Sequence, residues 1–135
     1  MNLKTYQPEG ELVIQTIAMP ANTNPYGDIF GGWLVSIMDL GASVLAHKWA
    51  HNRMATVAID GMTFIKPVMV GDTVACYAKV THRGRTSIGI QLEVWVERRS
   101  DQSQHQVTRG LFTFVAIDEK GASTPINWSE KATPL

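Results

Sequence analysis

The feature that most constrains the fold is one long helical segment followed by closely spaced strands. Residues from about 30–50 contain no proline and are rich in Leu, Ala, Met and Trp, which predicts a helix of about 20 residues. Apolar side chains surround its first half, so we expect it to be buried on most sides. No comparable helical segment separates the strands that follow. A parallel α/β sheet is therefore excluded, because it needs a crossover helix between strands.

Alternating apolar residues predict strands on both sides of this helix. The predicted strands cover residues 11–19, 54–60, 62–66, 72–82, 86–98 and 106–117. Short turns join the later strands, so we expect neighbours to pair antiparallel. The predicted fold class is α+β, an antiparallel sheet wrapped around one long central helix. The whole chain, 1–135, is expected to be a single domain with its core at about 11–118, a polar N-terminal arm and a polar C-terminal tail.

Charge and cysteine content narrow the function classes. Twelve Lys plus Arg balance twelve Asp plus Glu, so the chain lacks the basic excess of a nucleic-acid or membrane-surface binder. The single cysteine, Cys76, excludes an intrachain disulfide. His47 and His51 have no third ligand nearby, so no metal site is predicted. The N-terminus has no apolar signal segment and no run is long enough to span a membrane, so we expect a cytoplasmic protein.

Asp39 stands out because it lies in the middle of the most apolar segment. Its helical neighbours three and four residues away are small or polar (Val35, Ser36, Ala42 and Ser43) and leave room for an approaching group. Asp39 is therefore a candidate general base or nucleophile. The alternative is a structural carboxylate bonded to nearby backbone or facing solvent. Both interpretations stay open at the level of the residues.

The predicted entry to the helix is a second candidate site. Gly31 and Gly32 let a ligand approach the free N–H groups of a helix N-terminus, as in an oxyanion hole. Asp28 is the predicted N-cap. The alternative role of the glycines is helix packing and a turn. Asn24, in the preceding loop, is either an orienting polar group or a turn residue beside Pro25.

Basic and hydroxyl groups near strand ends suit a phosphate. Arg85, Thr86 and Ser87 follow Gly84 in a predicted turn, and Lys66 lies beside Pro67. Solvated charges in an ordinary hairpin are the alternative. No nucleophile elbow is present, and neither His82 nor His105 is assigned a role.

Three stretches carry a resemblance to a known family. They are ANTNPYGDIFGGWLVSIMDLGASVLA at 21–46, GMTFIKPVMVGD at 61–72 and GRTSIGIQLEVWVE at 84–97. The chain resembles the hotdog-fold acyl-CoA thioesterases over about 11–118. It is most similar to the short YciA-like acyl-CoA thioester hydrolases and to the single repeat of brain-type acyl-CoA hydrolases. The resemblance implies hydrolysis of acyl-CoA to a free acid and CoA, with no cofactor, because CoA is part of the substrate.

The resemblance also implies roles for individual residues. Asp39 matches the carboxylate that acts as general base or nucleophile, Asn24 matches a loop residue that pairs with it from the other subunit, and Gly31 and Gly32 match the oxyanion site. The positions that match the CoA groove are Thr56, Val57, Ala58, Phe64, Lys66, Pro67, Gly84, Arg85, Thr86 and Ser87. A homodimer with shared active sites, assembled as a trimer of dimers, is implied.

Two other functions are compatible with the same fold. One is a non-catalytic acyl-CoA-binding module, which would release no thiol. The other is hydration or dehydration of an acyl thioester, for which relatives use a histidine with an acidic partner. No histidine lies near the predicted helix entry.

Overall fold

The long helix α1 spans Gly31–Trp49, so the helix predicted at 30–50 is confirmed to within one residue at each end. It is seen in a computed structural model that describes residues 7–129. Its buried residues recur every three or four positions, as expected for one face of a helix, and are Leu34, Met38, Gly41, Ala42, Leu45, Ala46 and Trp49. Within the described residues, no helix is both long and apolar enough to cross a membrane.

Five strands of the described region form one sheet. They are β1 (Glu11–Ile17), β2 (Arg53–Phe64), β3 (Thr73–Arg83), β4 (Ser87–Glu97) and β5 (Gln104–Ile117). Their order is β1-β3-β4-β5-β2, and every neighbouring pair is antiparallel. The predicted fold class is therefore confirmed. Because β1 and β2 have one neighbour each, both are edge strands of this sheet.

The core lies between α1 and the face of the sheet that α1 covers. Strand β4 is central, and its alternating apolar residues are all buried at 2% exposure or less, namely Ile88, Ile90, Leu92, Val94 and Val96. Met38 of α1 belongs to the same buried cluster and is fully buried. Burying side chains of this size contributes roughly 1.5–3 kcal/mol each, so this cluster is a main source of the fold's stability.

The two short strands predicted at 54–60 and 62–66 are wrong, because the structure has one continuous strand. β2 pairs with β5 along its whole length. Gly61 has a φ of +64°, and the register shifts between Asp60 and Thr63. The glycine is accommodated as an irregularity within the strand, where a side chain would be strained, and it does not end the strand.

Asp28 is not the N-cap that the sequence predicted. Ile29 forms an isolated bridge with Thr23, and its N–H donates to the carbonyl of Val68 at 3.0 Å. These contacts hold residue 29 in an extended conformation, so the helix begins later. Phe30 is the N-cap, and it makes no side-chain capping hydrogen bond.

The expectation that the helix is buried on most sides is also wrong. Leu40 and Val44, one helical turn apart, are 58% and 52% exposed. Val57 and Ile59 on the edge strand β2 are 58% and 41% exposed. The apolar character of α1 thus serves two surfaces, one covered by the sheet of the same chain and one uncovered.

The chain after β5 packs back onto the core. We call residues 123–129 the C-terminal strap. The N–H of Ile126 donates to the carbonyl of Arg85 at 2.8 Å, and Ile126 is buried. The Arg83 guanidinium lies 5.1 Å from the ring of Trp49 and 4.4 Å from the ring of Trp128. The strap therefore links the end of α1 to the turn between β3 and β4. Residues 1–6 of the predicted arm and 130–135 of the predicted tail lie outside the described residues.

Candidate active site

Asp39 lies at the junction between α1 and the edge strand β2. Its side chain is half-buried, and its Oδ1 accepts a hydrogen bond from Oγ1 of Thr56 at 2.7 Å. Thr56 precedes an irregularity in β2, since the register shifts between Thr56 and Ala58 and leaves Val57 unpaired. Bulges of this kind often redirect side chains next to functional sites. Within residues 7–129, Oδ2 of Asp39 has no hydrogen-bond or ion-pair partner.

This arrangement suits a reactive carboxylate. One oxygen is oriented by a hydroxyl, and the other is free to take a proton or to attack a carbonyl carbon. The neighbouring small polar residues do not compete for it. Ser43 Oγ donates to the backbone carbonyl of Asp39 at 2.9 Å, and Ser36 Oγ donates to the carbonyl of Trp33 at 2.7 Å. The stripe of small residues predicted around Asp39 therefore leaves its carboxylate free.

The entry to α1 offers free hydrogen-bond donors. The N–H of Phe30 donates to Asn22 and that of Trp33 donates to Phe30. In the described part of the chain, the N–H groups of Gly31 and Gly32 donate to no protein acceptor. Unpaired N–H groups at a helix N-terminus stabilise negative charge on an oxygen that lies within hydrogen-bonding distance of them. This end of the helix therefore carries two unpaired N–H donors.

A cavity of about 320 Å³ lies against this helix entry. Gly31 and Leu34 line it from α1, and Phe64, Lys66 and Pro67 line it from the end of β2 and the segment that follows. The structure therefore brings four predicted site residues together at one place. Its walls are mainly apolar with one cation at the rim, as expected for a cavity that accepts an amphipathic ligand.

Asp39 and the helix entry are too far apart to act on one group within a single copy. Eight residues separate Asp39 from Gly31, and a helix rises about 1.5 Å per residue, which puts them about 12 Å apart. A reacting carbonyl has to lie about 3 Å from both the base and the oxyanion donors. One copy of the chain thus contains both halves of the predicted chemistry without joining them.

The residues predicted to line the CoA groove also lie at two distant places in one copy. Ser87 pairs with Val115, and Val115 pairs with Ala55, so the turn at 84–87 lies level with the start of β2. Phe64 lies nine residues further along β2, about 30 Å away at 3.3 Å per residue. In one copy, Thr56, Val57 and Ala58 lie near the turn end of β2, far from the cavity.

Asn24 holds its own loop. Its Oδ1 accepts hydrogen bonds from the backbone N–H of Tyr26 at 2.9 Å and of Asp28 at 3.2 Å. The Oδ1 atom of Asn24 therefore stabilises a turn, which is one of the two roles predicted for this residue. Its Nδ2 has no partner within residues 7–129 and remains able to donate to another group.

Cys76 is excluded as a nucleophile. It is fully buried beneath α1, and burial raises the pKa of its thiol to about 12, so the thiolate is not populated near neutral pH. No group of three or more potential metal ligands occurs in the part of the chain that the structure describes.

Sequence reasoning missed two side-chain contacts of the site. Thr56 was predicted as a groove residue, but its hydroxyl bonds Asp39 across 17 positions of sequence. His105 was assigned no role, yet its Nδ1 lies 3.2 Å from Nζ of Lys66 at the cavity rim. Both contacts join different elements, so no local pattern signals them.

The comparisons with known proteins agree with the fold. Residues 26–101 match the model of the thioesterase superfamily. The acyl-CoA thioester hydrolase YciA of Salmonella typhimurium is 51% identical over 122 residues, which cover 88% of this chain and 92% of that protein. A hexameric thioesterase from Yersinia pestis is 50% identical, covering 90% and 98% of the two chains with a TM-score of 0.84. A hexameric broad-specificity acyl-coenzyme A thioesterase is 46% identical, covering 93% and 86% with a TM-score of 0.86.

Proposed function

Since the chain belongs to the thioesterase superfamily and, within it, to the YciA-like acyl-CoA thioester hydrolases, we propose that it hydrolyses acyl-CoA to a carboxylic acid and CoA. The observation that carries this proposal is the Asp39 carboxylate, held by Thr56 with its other oxygen free. Asp39 either activates a water molecule or attacks the thioester carbonyl itself. In both routes the carbon–sulfur bond breaks, water supplies the new acid oxygen, and the CoA sulfur leaves as a thiol after taking a proton.

The helix entry is proposed to stabilise the oxyanion. When the carbonyl carbon becomes tetrahedral, negative charge develops on its oxygen. The unpaired N–H groups of Gly31 and Gly32 are oriented before the reaction, so they favour this charge over the neutral carbonyl. The cavity beside Gly31 and Phe64 has apolar walls suited to the acyl chain or the pantetheine arm.

A homodimer completes the site. The separation of about 12 Å between Asp39 and Gly31 requires that the carboxylate and the oxyanion donors meeting at one carbonyl come from different copies. The unpaired edge of β2, with the exposed Val57 and Ile59, and the exposed Leu40 and Val44 of α1 are two apolar surfaces on which a second copy can pack. We propose that Asn24 reaches the Asp39 of the partner through its free Nδ2. Because two of the similar thioesterases are hexameric, we propose that three such dimers form one assembly.

The CoA portion is proposed to lie along both groups of predicted groove residues. Lys66 at the cavity and Arg85 in the turn are cations that suit its phosphates. Because the two groups lie at opposite ends of β2, a substrate that contacts both has to cross between copies. The reaction as written needs no cofactor, and CoA is part of the substrate. Action in the cytoplasm stays a prediction of the sequence.

The test is thiol release from a panel of short, long and aromatic acyl-CoAs by the wild-type protein, with Asp39→Ala and Asp39→Asn alongside. We expect release by the wild type and loss of at least about 10³-fold in both variants, which remain folded and oligomeric. Asp39→Asn keeps the shape of the side chain and separates chemistry from packing. Full activity in either variant removes Asp39 from the mechanism. Stoichiometric acyl-CoA binding without thiol release would identify a binding module.

A further inference from the structure

A continuous hydrogen-bond chain ends at the lysine on the cavity rim. Nζ of Lys66 lies 3.2 Å from Nδ1 of His105, and Nε2 of His105 lies 2.7 Å from Oγ of Ser103. Oγ of Ser103 in turn lies 2.5 Å from Oδ1 of Asp101. These hydrogen bonds join the loop before β5, the start of β5 and the segment after β2. None of the three members of this hydrogen-bond chain beyond Lys66 was predicted to belong to the site.

The direction of every bond in this chain is determined by chemistry. A lysine ammonium only donates, so Nδ1 of His105 has to accept. The imidazole is then neutral with its proton on Nε2, which donates to Ser103 Oγ. The hydroxyl proton of Ser103 is left to bond Asp101. Hydrogen bonds from the side chain and backbone of Ser103 hold the pKa of Asp101 below its usual value, so this end of the chain stays an acceptor.

Lys66 is held at both its backbone and its ammonium. The N–H groups of Ile65 and Lys66 donate to the carbonyl of Val107 at 2.7 and 3.4 Å. Strand β5 thus fixes the backbone through Val107 and the side chain through His105, two positions earlier. The ammonium keeps two N–H groups for a ligand in the cavity that Lys66 lines.

The charge of Lys66 is not compensated by a nearby carboxylate. Within residues 7–129, no Asp or Glu lies within 4.0 Å of its Nζ. The neighbouring cation Arg98 differs, since its Nη2 bonds the carbonyl of Pro67 at 3.0 Å and pairs with the buried Asp72 at 3.2 Å. A neutral acceptor such as His105 orients the ammonium while leaving its charge available to an anion.

We propose that His105 is a positioning residue for substrate binding, which holds the Lys66 ammonium at the rim of the cavity for a phosphate of CoA. Ser103 and Asp101 orient the imidazole that does so. This inference rests on the proposed function, because it takes a phosphate-bearing thioester as the ligand. His105 does not contact the reacting atoms and acts through Lys66.

The test compares acyl-CoA with the phosphate-free acyl-N-acetylcysteamine thioester at one fixed pH. We expect Lys66→Met to raise KM for acyl-CoA about tenfold and His105→Ala about three- to fivefold, with kcat unchanged in both. KM for the phosphate-free substrate should stay the same. Because the two residues act as one unit, the double variant should resemble Lys66→Met alone.

Two further variants separate positioning from general structure. His105→Gln offers a carbonyl acceptor to Lys66 and an amide donor to Ser103, so it should recover most of the wild-type KM. His51→Ala removes an exposed histidine that is not part of this hydrogen-bond chain, so KM and kcat should stay the same for both substrates. If His105→Ala fails to fold, Ser103→Ala tests the same hydrogen-bond chain. It keeps the imidazole of His105 but removes the hydroxyl that orients it.

The outcomes are distinct from those of the proposed function. Additive effects in the double variant, an equal rise in KM for the phosphate-free substrate, or an unchanged KM in His105→Ala and Ser103→Ala would each overturn the positioning role. In those cases the wild type still releases thiol and the proposed activity stands. Absence of thiol release by the wild type overturns both.

Discussion

The two sides of α1 differ in how their apolar residues are used. On the side that faces the sheet, Met38 and Ala42 are fully buried against strands of the same chain. On the uncovered side, Leu40 and Val44 are more than half exposed, and the half-buried Asp39 is adjacent in sequence to Leu40. The first side completes the fold of one copy. The second combines uncovered apolar surface with the candidate catalytic group.

This difference assigns separate tasks to the two sides. Substitutions on the sheet side should change the free energy of unfolding and leave the chemistry intact. Substitutions on the open side should change assembly and activity and leave the core intact. In the proposed assembly the apolar residues of α1 have two partners, the sheet and a second copy, and the predictions below test that division.

The largest effect is expected from placing charges on the open side. Leu40→Asp with Val44→Asp would put two carboxylates into the proposed contact between copies, where desolvation disfavours them. We expect dissociation to folded monomers and loss of thiol release on the order of 10³-fold, about 4 kcal/mol. Light scattering after size exclusion and a thiol-release assay measure the two effects.

The matched control introduces the same charges elsewhere. Ala122→Asp with Ser123→Asp changes two exposed, uncharged positions after β5. This variant should keep both its assembly and its activity. A monomeric Leu40→Asp, Val44→Asp variant with wild-type turnover would show that the site does not need a second copy.

The next effect is expected from the sheet side. Met38→Ala removes a fully buried side chain and leaves a cavity in the core, so the free energy of unfolding should fall by about 3 kcal/mol. Chemical denaturation measures this loss, and KM and oligomeric state should stay the same. Met38→Leu nearly conserves the volume and should cost less than about 1.5 kcal/mol. A change in assembly without loss of stability would contradict the division between the two sides.

The smallest effect is expected from removing the hydrogen bond between Thr56 and Asp39. Thr56→Val removes the hydroxyl that orients Asp39 and keeps the shape of the side chain. We expect kcat to fall about tenfold, the equivalent of about 1.4 kcal/mol, because a hydrogen bond to a charged group is worth that much or slightly more. Thr56→Ser restores the donor and should restore most of kcat. Equal losses in both variants would assign Thr56 a packing role only.

Local patterns predicted most of the fold. The strict alternation from Ile88 to Val96 indicated a half-buried strand, and the structure places that strand at the centre of the sheet. The prediction that a strand ends before Gly61 was wrong, because a glycine with positive φ also fits an irregularity inside a strand. The prediction of Asp28 as the N-cap was wrong. Contacts of Ile29 with Thr23 and with Val68 keep residue 29 extended, so the helix begins at Gly31.

The candidate site was less accessible to sequence reasoning. Composition treats Leu40 and Val44 as core residues, because the side chains that fill an interface are the same types that fill an interior. The contacts of Asp39 with Thr56 and of Lys66 with His105 depend on how β2 and β5 are placed. Only tertiary structure supplies that placement.

The irregular edge strand β2 has a consequence for solubility. A long, unpaired strand edge with exposed Val57 and Ile59 can template the addition of further chains and seed filaments. The register shifts on either side of Ile59 break the strand into shorter regular pieces, which restricts pairing to a partner of the same shape. The proposed twofold pairing through β2 would use this edge in both copies at once, so no further chain could add to it.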